Sequence, residues 1–255
     1  MTLNCVLAIG GSTSRGDSGV QADLRTFGAM GIEGVSAITS ITVHRAGKEE
    51  EILALPASIV AAQVDSIMSE VGPEVVKVGR LASVETVRTV AARLREWKSL
   101  AVVLDPVLVE PDESHLDDGV VEALREELLP LASIVTPNWI EAGRLIHAFP
   151  RGTEDIERIA ISFRRLGVAN ILIKGGRLEG ETIIDTLYEG DRRTEFTHRR
   201  IPGVHPSGAG WVLASAIAAG VALQRDLIDA CREAIEFTHR AIGRRYDADS
   251  STWVG

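Results

Sequence analysis

Cysteine, aromatic residues and positive charge are all scarce in this 255-residue chain. Its two cysteines, Cys5 and Cys231, are too few and too far apart in sequence to indicate a disulfide framework or a metal cluster. Acidic residues outnumber basic ones by 36 to 27, which gives a formal net charge of −9, whereas a nucleic-acid-binding surface would normally be basic. We therefore expect neither a disulfide scaffold nor binding to nucleic acid.

Long hydrophobic runs are also missing. The uncharged run from Trp211 to Leu223 has thirteen residues, which is short of the roughly 20 needed to cross a bilayer. The first four residues, Met1 to Asn4, contain neither a basic region nor a long apolar segment, so no secretory signal is predicted. These absences predict a soluble, cytoplasmic protein that does not engage membranes.

The chain otherwise has an ordinary globular composition, with 45% hydrophobic and 25% charged residues, and short apolar strands alternate with amphipathic helices. This alternation predicts an α/β fold in which helices cover both faces of a mostly parallel sheet. Strands are predicted at 5–9, 34–43, 75–79, 100–104, 133–135 and 169–173, and helices at 19–31, 56–70, 84–97, 120–129, 139–147, 154–166, 211–223 and 227–242. Two further strands, 182–188 and 193–198, flank a Glu-Gly-Asp turn and predict an antiparallel hairpin at a sheet edge. Because no linker marks a second unit, we expect residues 1–255 to form one domain with a loose tail from Asp247 to Gly255.

A glycine turn stands immediately before one of these helices. In the segment Pro206-Ser207-Gly208-Ala209-Gly210-Trp211, glycine permits positive φ and lets consecutive backbone N–H groups turn toward a ligand. The helix adds its unsatisfied N–H groups and the positive end of its dipole, so phosphate is a suitable guest. The alternative is a plain glycine turn before a buried helix.

Polar residues follow several predicted strands, at the edge of the sheet where α/β proteins bind ligands. Asp105, together with Glu141, supplies two carboxylates that could hold Mg²⁺, and Lys174 supplies a charge suited to phosphate. With the glycine turn they form the set needed for phosphoryl transfer. Each also has a structural alternative, because Asp-Pro can begin a turn, Lys-Gly-Gly can end a strand, and Asn138 with Glu141 can form a capping box.

At this point the sequence resembles the ribokinase-like family, and within it the hydroxymethylpyrimidine/phosphomethylpyrimidine kinases of thiamine synthesis. The segment from Gly16 to Phe27 (GDSGVQADLRTF) is similar to the family's GGAGIQADLKTF. The resemblance covers nearly the whole chain and implies a three-layer α/β/α sandwich. Its further support lies in the segments 77–79, 103–107, 136–142, 174–176 and 208–210.

The resemblance implies a role for each matching residue and the use of ATP and Mg²⁺ on a small-molecule substrate, in a homodimer. The pyrimidine pocket would be lined by Gly11, Asp23 and Val107, with His44 and Arg80 at two further positions of that pocket. The Mg²⁺ ligands would be Asp105 and Glu141, and the ATP phosphates would contact Asn138 and Lys174. The transferred phosphoryl group would lie at the turn formed by Gly208, Ala209 and Gly210.

The chain departs from the family at the position after the second glycine. The family has a Cys or Asp there, as the base that takes the substrate hydroxyl proton, whereas this chain has Trp211. Indole has no basic nitrogen, and a positioned base is typically worth about 10²–10⁴-fold in rate. His44 replaces a Gln and Arg80 a Met of the family pattern, and the Lys-Asn-Thr-His lead-in to the turn is also replaced.

Two functions remain open. The first is an ATP- and Mg²⁺-dependent kinase of hydroxymethylpyrimidine or its monophosphate, with His205 or Asp23 as a substitute base, although His205 can equally be an exposed loop residue. The second is a non-catalytic homologue that binds a nucleotide or a small anionic ligand.

Overall fold

The computed structural model describes residues 4–14, 16–43, 51–98, 101–108, 117–148, 150, 155–201 and 208–247. Strands and helices alternate through most of this range. The strands are β1 (Cys5–Thr13), β2 (Glu33–Val43), β3 (Glu51–Ala54), β4 (Val75–Val78), β5 (Ala101–Leu104), β6 (Ile134–Val135), β7 (Asn170–Ile173), β8 (Thr182–Glu189) and β9 (Arg192–Arg199). The helices are α1 (Gly19–Ala29), α2 (Ala57–Glu70), α3 (Val84–Glu96), α4 (Asp118–Ala123), α5 (Trp139–Leu145), α6 (Ile156–Arg165), α7 (Ala209–Ala222) and α8 (Leu227–Asp247).

The described strands form one nine-stranded sheet in the order β3-β2-β1-β4-β5-β6-β7-β8-β9. The six strands from β2 to β7 in that order pair in parallel, as expected for strands joined by crossover helices. At one edge β8 and β9 form the predicted antiparallel hairpin, whose turn residue Gly190 has a φ of 58°. The predicted α/β fold with a mostly parallel sheet is thus confirmed.

Side chains alternate between the two faces of the sheet, and each face has its own core. From β1, Leu7 and Ile9 pack with α2 to α6 on one face, while Val6 and Ala8 pack with α1, α7 and α8 on the other. Helix α7 is buried at every residue from Leu213 to Gly220, in agreement with its uncharged sequence. The molecule is therefore a three-layer α/β/α sandwich.

The structure differs from the sequence prediction mainly at one edge and inside one helix, and β1 also extends from the predicted 5–9 to Thr13. Strand β3, which no pattern predicted, pairs antiparallel with β2, and its four residues are all exposed, so it carries no alternation signal. The helix predicted at 120–129 begins at Asp118, and after Ala123 it continues as a π turn (Leu124–Leu128) and a 3₁₀ turn (Leu129–Leu131). Of the tail predicted as loose, residues 248–255 lie outside the described residues.

Two further observations concern the cysteines and the length of the helices. Cys5 and Cys231 are both buried and free, and burial raises the pKa of the Cys231 thiol, which keeps it protonated. None of the helices in the described ranges is long and apolar enough to cross a membrane. In α/β sheets of this kind, ligands bind at the carboxyl ends of the parallel strands.

Candidate functional site

Lys174 follows β7 and lies beside two carboxylates. Its Nζ is 2.9 Å from Asp105 Oδ1 and 3.7 Å from Glu141 Oε2, and Thr136 Oγ1 donates to the same Asp105 oxygen at 3.2 Å. Burial disfavours the charged form of Lys174, but attraction to Asp105 and Glu141 outweighs this and raises the pKa of Lys174. The side chain is 13% exposed, so the charged ammonium retains some access to a ligand.

Glu141 belongs to a capping box at the start of α5. Asn138 Oδ1 accepts the N–H groups of Ile140 and Glu141, and Glu141 Oε2 accepts the Asn138 N–H at 2.7 Å. Burial raises the pKa of Glu141, although attraction to Lys174 opposes the shift. The capping box predicted as an alternative role for Asn138 and Glu141 is therefore present, and it fixes the Glu141 carboxylate next to Lys174.

The glycine turn begins α7 and faces Lys174. Gly208 has a φ of 88°, and a Cβ atom there would lie 2.5 Å from the Asp17 carbonyl oxygen, so only glycine fits. A Cβ atom on Gly210 would lie 3.1 Å from Lys174 Nζ. The first bond of the helix runs from the Val212 N–H to the Gly208 carbonyl, which leaves the preceding N–H groups without an acceptor in the helix. The ammonium lies close to this helix N-terminus, and both features favour an anion.

Trp211 lies in the first turn of α7 and is half-buried. Its Cε3 atom is 3.9 Å from the position that a Cβ atom on Gly208 would take, so the indole packs against the glycine turn. Its carbonyl oxygen is 2.8 Å from Ser215 Oγ, one turn further along. The residue therefore adds bulk at the anion site and offers no base.

A second lysine–aspartate pair lies beneath this helix. Lys77 Nζ donates to Asp23 Oδ1 at 2.8 Å, and Ser215 Oγ lies 2.6 Å from the same oxygen. The Lys77 and Asp23 side chains are 0% and 1% exposed. Burial raises the pKa of Asp23 against the opposing attraction of Lys77. Asp23 Oδ2 has no hydrogen-bond partner among the described residues, so it can accept a bond from a polar ligand.

The segment that carries the strongest motif joins β1 to α1. Gln21 holds the end of the strand, because its Nε2 donates to Ser12 Oγ at 2.7 Å and its Oε1 accepts the Thr13 N–H at 3.0 Å. A Cβ atom on Gly19 would lie 2.2 Å from the Gly11 carbonyl oxygen, and Gly19 has a φ of 63°. The motif thus places Gly11 and the start of α1 against each other.

Two of the remaining predicted site residues, Arg80 and Val107, lie in the described part of the chain. Arg80 follows β4 and Val107 follows β5, and both are half-buried near the edge of the sheet that carries Asp105. His44, His205 and the Pro206-Ser207 part of the glycine segment lie outside the described residues.

Sequence reasoning did not assign roles to several residues that the structure places around the site. Lys77 lies in the segment 77–79 that supports the resemblance, and a lysine inside the otherwise apolar strand β4 is itself a signal of a buried partner. Ser215 gave no signal, because a serine in an Ala-rich helix is unremarkable in sequence. Thr136 adjoins the predicted Pro137-Asn138 strand end, and that position could have identified it.

The donor set fits a hard divalent cation held jointly with phosphate. Within the described residues, no group of three or more His, Cys, Asp or Glu side chains could hold a metal. Asp105 and Glu141 do, however, place two buried carboxylates around one ammonium. Mg²⁺ commonly uses one or two carboxylates and completes its coordination with water and substrate phosphates. The residues present are therefore compatible with a magnesium–nucleotide complex.

Comparison with known proteins identifies relatives over almost the whole chain. The family model described as phosphomethylpyrimidine kinase matches residues 13–253. The hydroxymethylpyrimidine/phosphomethylpyrimidine kinase of Rhizobium meliloti is 39% identical over 238 residues, covering 92% of this chain and 89% of that protein. The corresponding kinase of Aquifex aeolicus is 35% identical and covers 92% of this chain and 93% of the relative.

Solved structures show the same likeness. Phosphomethylpyrimidine kinase from Clostridium difficile has a TM-score of 0.83 and 30% identity, covering 93% of this chain and 99% of its own. An ADP complex of Bacillus subtilis pyridoxal kinase has a TM-score of 0.87 and 30% identity, covering 91% and 89%. The match to the family model and the two kinases more than 30% identical show that this chain belongs to the phosphomethylpyrimidine kinase family.

Proposed function

We propose that the protein transfers a phosphoryl group from ATP to hydroxymethylpyrimidine or its monophosphate, as a single kinase domain. The observation that carries this proposal is the position of Lys174 Nζ, which lies between the Asp105 carboxylate and the glycine turn at Gly210. Lys174 would bind the ATP phosphates, and the backbone N–H groups of the turn at Gly208–Gly210 would stabilise charge on the transferred group. Asn138 would contact ATP from the adjoining strand end.

Asp105 and Glu141 would hold Mg²⁺ together with the nucleotide phosphates. The bound cation would neutralise phosphate charge that Lys174 alone cannot balance. Binding nucleotide also requires Lys174 to leave Asp105 at least in part, and the partial exposure of its side chain permits this.

The acceptor would lie on the Asp23 side of the site. Asp23 Oδ2 lacks a partner in the described part of the chain, so it would accept a hydrogen bond from a polar edge of the pyrimidine. Gly11 and Val107 would form walls of this pocket, with Arg80 and His44 at its altered positions.

Trp211 is the reason to expect slow turnover. The indole lies against the turn and cannot accept the hydroxyl proton. Asp23 is the replacement base that the structure favours, since its Oδ2 has no hydrogen-bond partner among the described residues. His205, the other candidate base from the sequence, lies outside the described residues.

The test is phosphorylation of hydroxymethylpyrimidine, its monophosphate and pyridoxal, with ATP and Mg²⁺, by the wild type and by Trp211→Cys. Pyridoxal is included because pyridoxal kinases share the fold. We expect slow wild-type turnover and a gain of about 10²-fold or more in the variant, the lower end of the value of a positioned base. The proposal fails if both proteins bind nucleotide but phosphorylate none of the three acceptors.

A second candidate is a non-catalytic homologue that binds a nucleotide or small anion, and the same Trp211 observation favours it. The two candidates differ in wild-type rate. Turnover near the roughly 1–100 s⁻¹ of ordinary kinases would exclude the second, whereas nucleotide binding without turnover in either protein would support it.

We also propose a cytoplasmic homodimer. The support for the homodimer is the group of exposed apolar side chains on the β2–β3 edge, which includes Ile41 at 42% and Leu53 at 62% and which a second copy would cover. Sedimentation equilibrium of the wild type and Leu53→Lys tests this assignment, with loss of dimer expected in the variant.

A further inference from the structure

The connection between β7 and β8, residues 174–181, carries Lys174 and is called here the Lys174 loop. One end of the loop is fixed to β6. The Lys174 N–H donates to the Pro137 carbonyl at 2.9 Å, and Asn138 pairs with Lys174 in an isolated parallel bridge. The backbone of Lys174 is therefore aligned on one side by the same strand end that starts α5.

The other side of the loop is fixed by Asp185 of β8. Its carboxylate Oδ1 accepts the Gly175 N–H at 2.8 Å, and the Asp185 side chain is 7% exposed. A Cβ atom on Gly175 would lie 2.1 Å from the Ile184 carbonyl oxygen, so the loop lies directly on the β8 backbone at this point. Asp185 thus holds the peptide group that immediately follows Lys174.

Asp185 is itself held from the neighbouring strand. His198 Nε2 of β9 lies 3.1 Å from Asp185 Oδ2, so each carboxylate oxygen has a partner. The His198 ring packs edge-to-face on His239 of α8, with centroids 5.6 Å apart. His239 Nε2 in turn donates to the Arg199 carbonyl at 2.9 Å. The carboxylate is therefore fixed to both the hairpin and the last helix.

The remainder of the loop wraps around Arg200. Its guanidinium donates to the carbonyl of Gly180 at 2.8 Å, to that of Gly176 at 2.9 Å and also to that of Leu178. The Arg200 N–H donates to the Glu181 carbonyl at 2.7 Å. Three side-chain bonds from one rigid, planar group define the path of the loop in a way that a lysine could not.

We propose that the β8–β9 hairpin positions the phosphate-binding lysine, with Asp185 as the positioning residue for Lys174, His198 orienting Asp185, and Arg200 fixing the loop beyond it. Asp185 acts through the Gly175 backbone, and its own carboxylate is fully engaged by Gly175 and His198. This role rests on the proposed function, because it assumes that Lys174 binds nucleotide phosphate. The hairpin is thereby part of the nucleotide site although none of its side chains needs to touch the nucleotide.

The first experiment is a double-mutant cycle on nucleotide affinity. ADP binding is measured by calorimetry for the wild type, Asp185→Ala, Lys174→Met and the double variant. We expect Asp185→Ala to weaken ADP binding about tenfold, because a displaced Lys174 loses part of its charge-assisted contact with the phosphates. In the Lys174→Met background the same change should have almost no effect, since the group it positions is gone. Additive losses in the two backgrounds would overturn the proposal.

Two further variants separate positioning from general stability. Asp185→Asn keeps an acceptor for the Gly175 N–H and should restore affinity to within about twofold of the wild type. Thr197→Ala changes an exposed neighbour of His198 on the same hairpin and should leave affinity unchanged. Equal losses for Asp185→Asn and Asp185→Ala would contradict the assigned hydrogen bond. Thermal unfolding of each variant verifies that it is folded.

Hydrogen exchange of the nucleotide-free proteins distinguishes failure of this proposal from failure of the proposed function. We expect Asp185→Ala and Arg200→Lys to speed exchange in peptides covering residues 174–181, with no change in peptides from α3. If the wild type binds no ADP, the proposed function fails, and faster loop exchange in Asp185→Ala would still support the positioning. Unchanged exchange in this segment would overturn it whatever the nucleotide result.

Discussion

The molecule contains two lysine–aspartate pairs of nearly equal length in very different surroundings. Lys77 and Asp23 are 2.8 Å apart, and neither side chain exceeds 1% exposure. Lys174 and Asp105 are 2.9 Å apart, and the lysine side chain is 13% exposed. Distance alone would make the two pairs equivalent, so the difference lies in access to solvent and ligand.

Because of this difference in exposure, the two pairs are suited to different roles. Lys77 is fully buried and cannot exchange Asp23 for a ligand from solvent, although the second oxygen of Asp23 has no partner among the described residues. Removing one member of this pair leaves an uncompensated charge in the core. In the second pair, the partly exposed Lys174 can exchange the Asp105 carboxylate for an incoming phosphate. The ammonium stays charged and paired with an anion throughout this exchange. We therefore propose that the first pair stabilises the core and forms the floor of the acceptor pocket, and that the second binds nucleotide.

The largest expected effect is on stability, from Lys77→Met. Breaking a buried pair by removing one partner costs about 3–5 kcal/mol of unfolding free energy. For a chain of this size we expect the Tm to fall by roughly 10 °C. Calorimetric unfolding at neutral pH measures this loss. The double variant Lys77→Met with Asp23→Asn should recover part of it, because the orphaned charge is removed. An unchanged Tm in the single variant would show that the Lys77–Asp23 pair adds nothing to stability.

The next effect is on nucleotide affinity, from the matched substitution Lys174→Met. Losing a charged hydrogen-bond donor costs about 1.5–3 kcal/mol, so ADP should bind about 10–100-fold more weakly. The Tm should change less than in Lys77→Met, because Asp105 keeps its bond from Thr136. Calorimetric titration of both variants makes the comparison direct. Equal losses of ADP affinity in the two variants would remove the distinction between the pairs.

The sheet and its polar edge could be predicted from the sequence, because the patterns that indicate them repeat along the chain. Apolar strands alternate with helices, and polar residues such as Asp105 and Lys174 directly follow strands, so parallel pairing brings them to one edge. The glycine turn was predictable for a similar reason, because the positive φ of Gly208 suits glycine in particular. Local pattern was sufficient in each case.

Partners across long separations were not predictable in this way. Ser215 reaches Asp23 across 192 positions of the sequence, and Lys77 reaches it across 54. These contacts depend on how α1 and α7 lie on β4, which no local pattern encodes. The Asp185–His198 pair depends likewise on the register of a hairpin. Strand β3 was missed for another reason, because four exposed residues show no burial pattern.

The smallest effect expected concerns the pH dependence of stability, from Glu141→Gln. The substitution keeps an acceptor for the Asn138 N–H and removes a buried carboxyl group whose pKa is raised above its ordinary value of 4.5. Between that value and the folded pKa, the folded wild type retains a proton that the unfolded chain has released. Stability of the wild type therefore falls as pH rises through this window. The variant lacks this loss.

The Tm of Glu141→Gln relative to the wild type should accordingly increase with pH above about 4.5, by about a few degrees in total, since each kcal/mol shifts Tm by roughly 2–4 °C. Glu236→Gln is the control, because that carboxylate on α8 is 59% exposed and remains in water when the chain folds. Attraction to Lys174 opposes the shift at Glu141, so adding Lys174→Met should enlarge the pH-dependent difference made by Glu141→Gln. A Tm difference that decreases with rising pH would mean that attraction to Lys174 lowers the pKa of Glu141 more than burial raises it. Glu141 would then be an ionic partner of Lys174 together with Asp105.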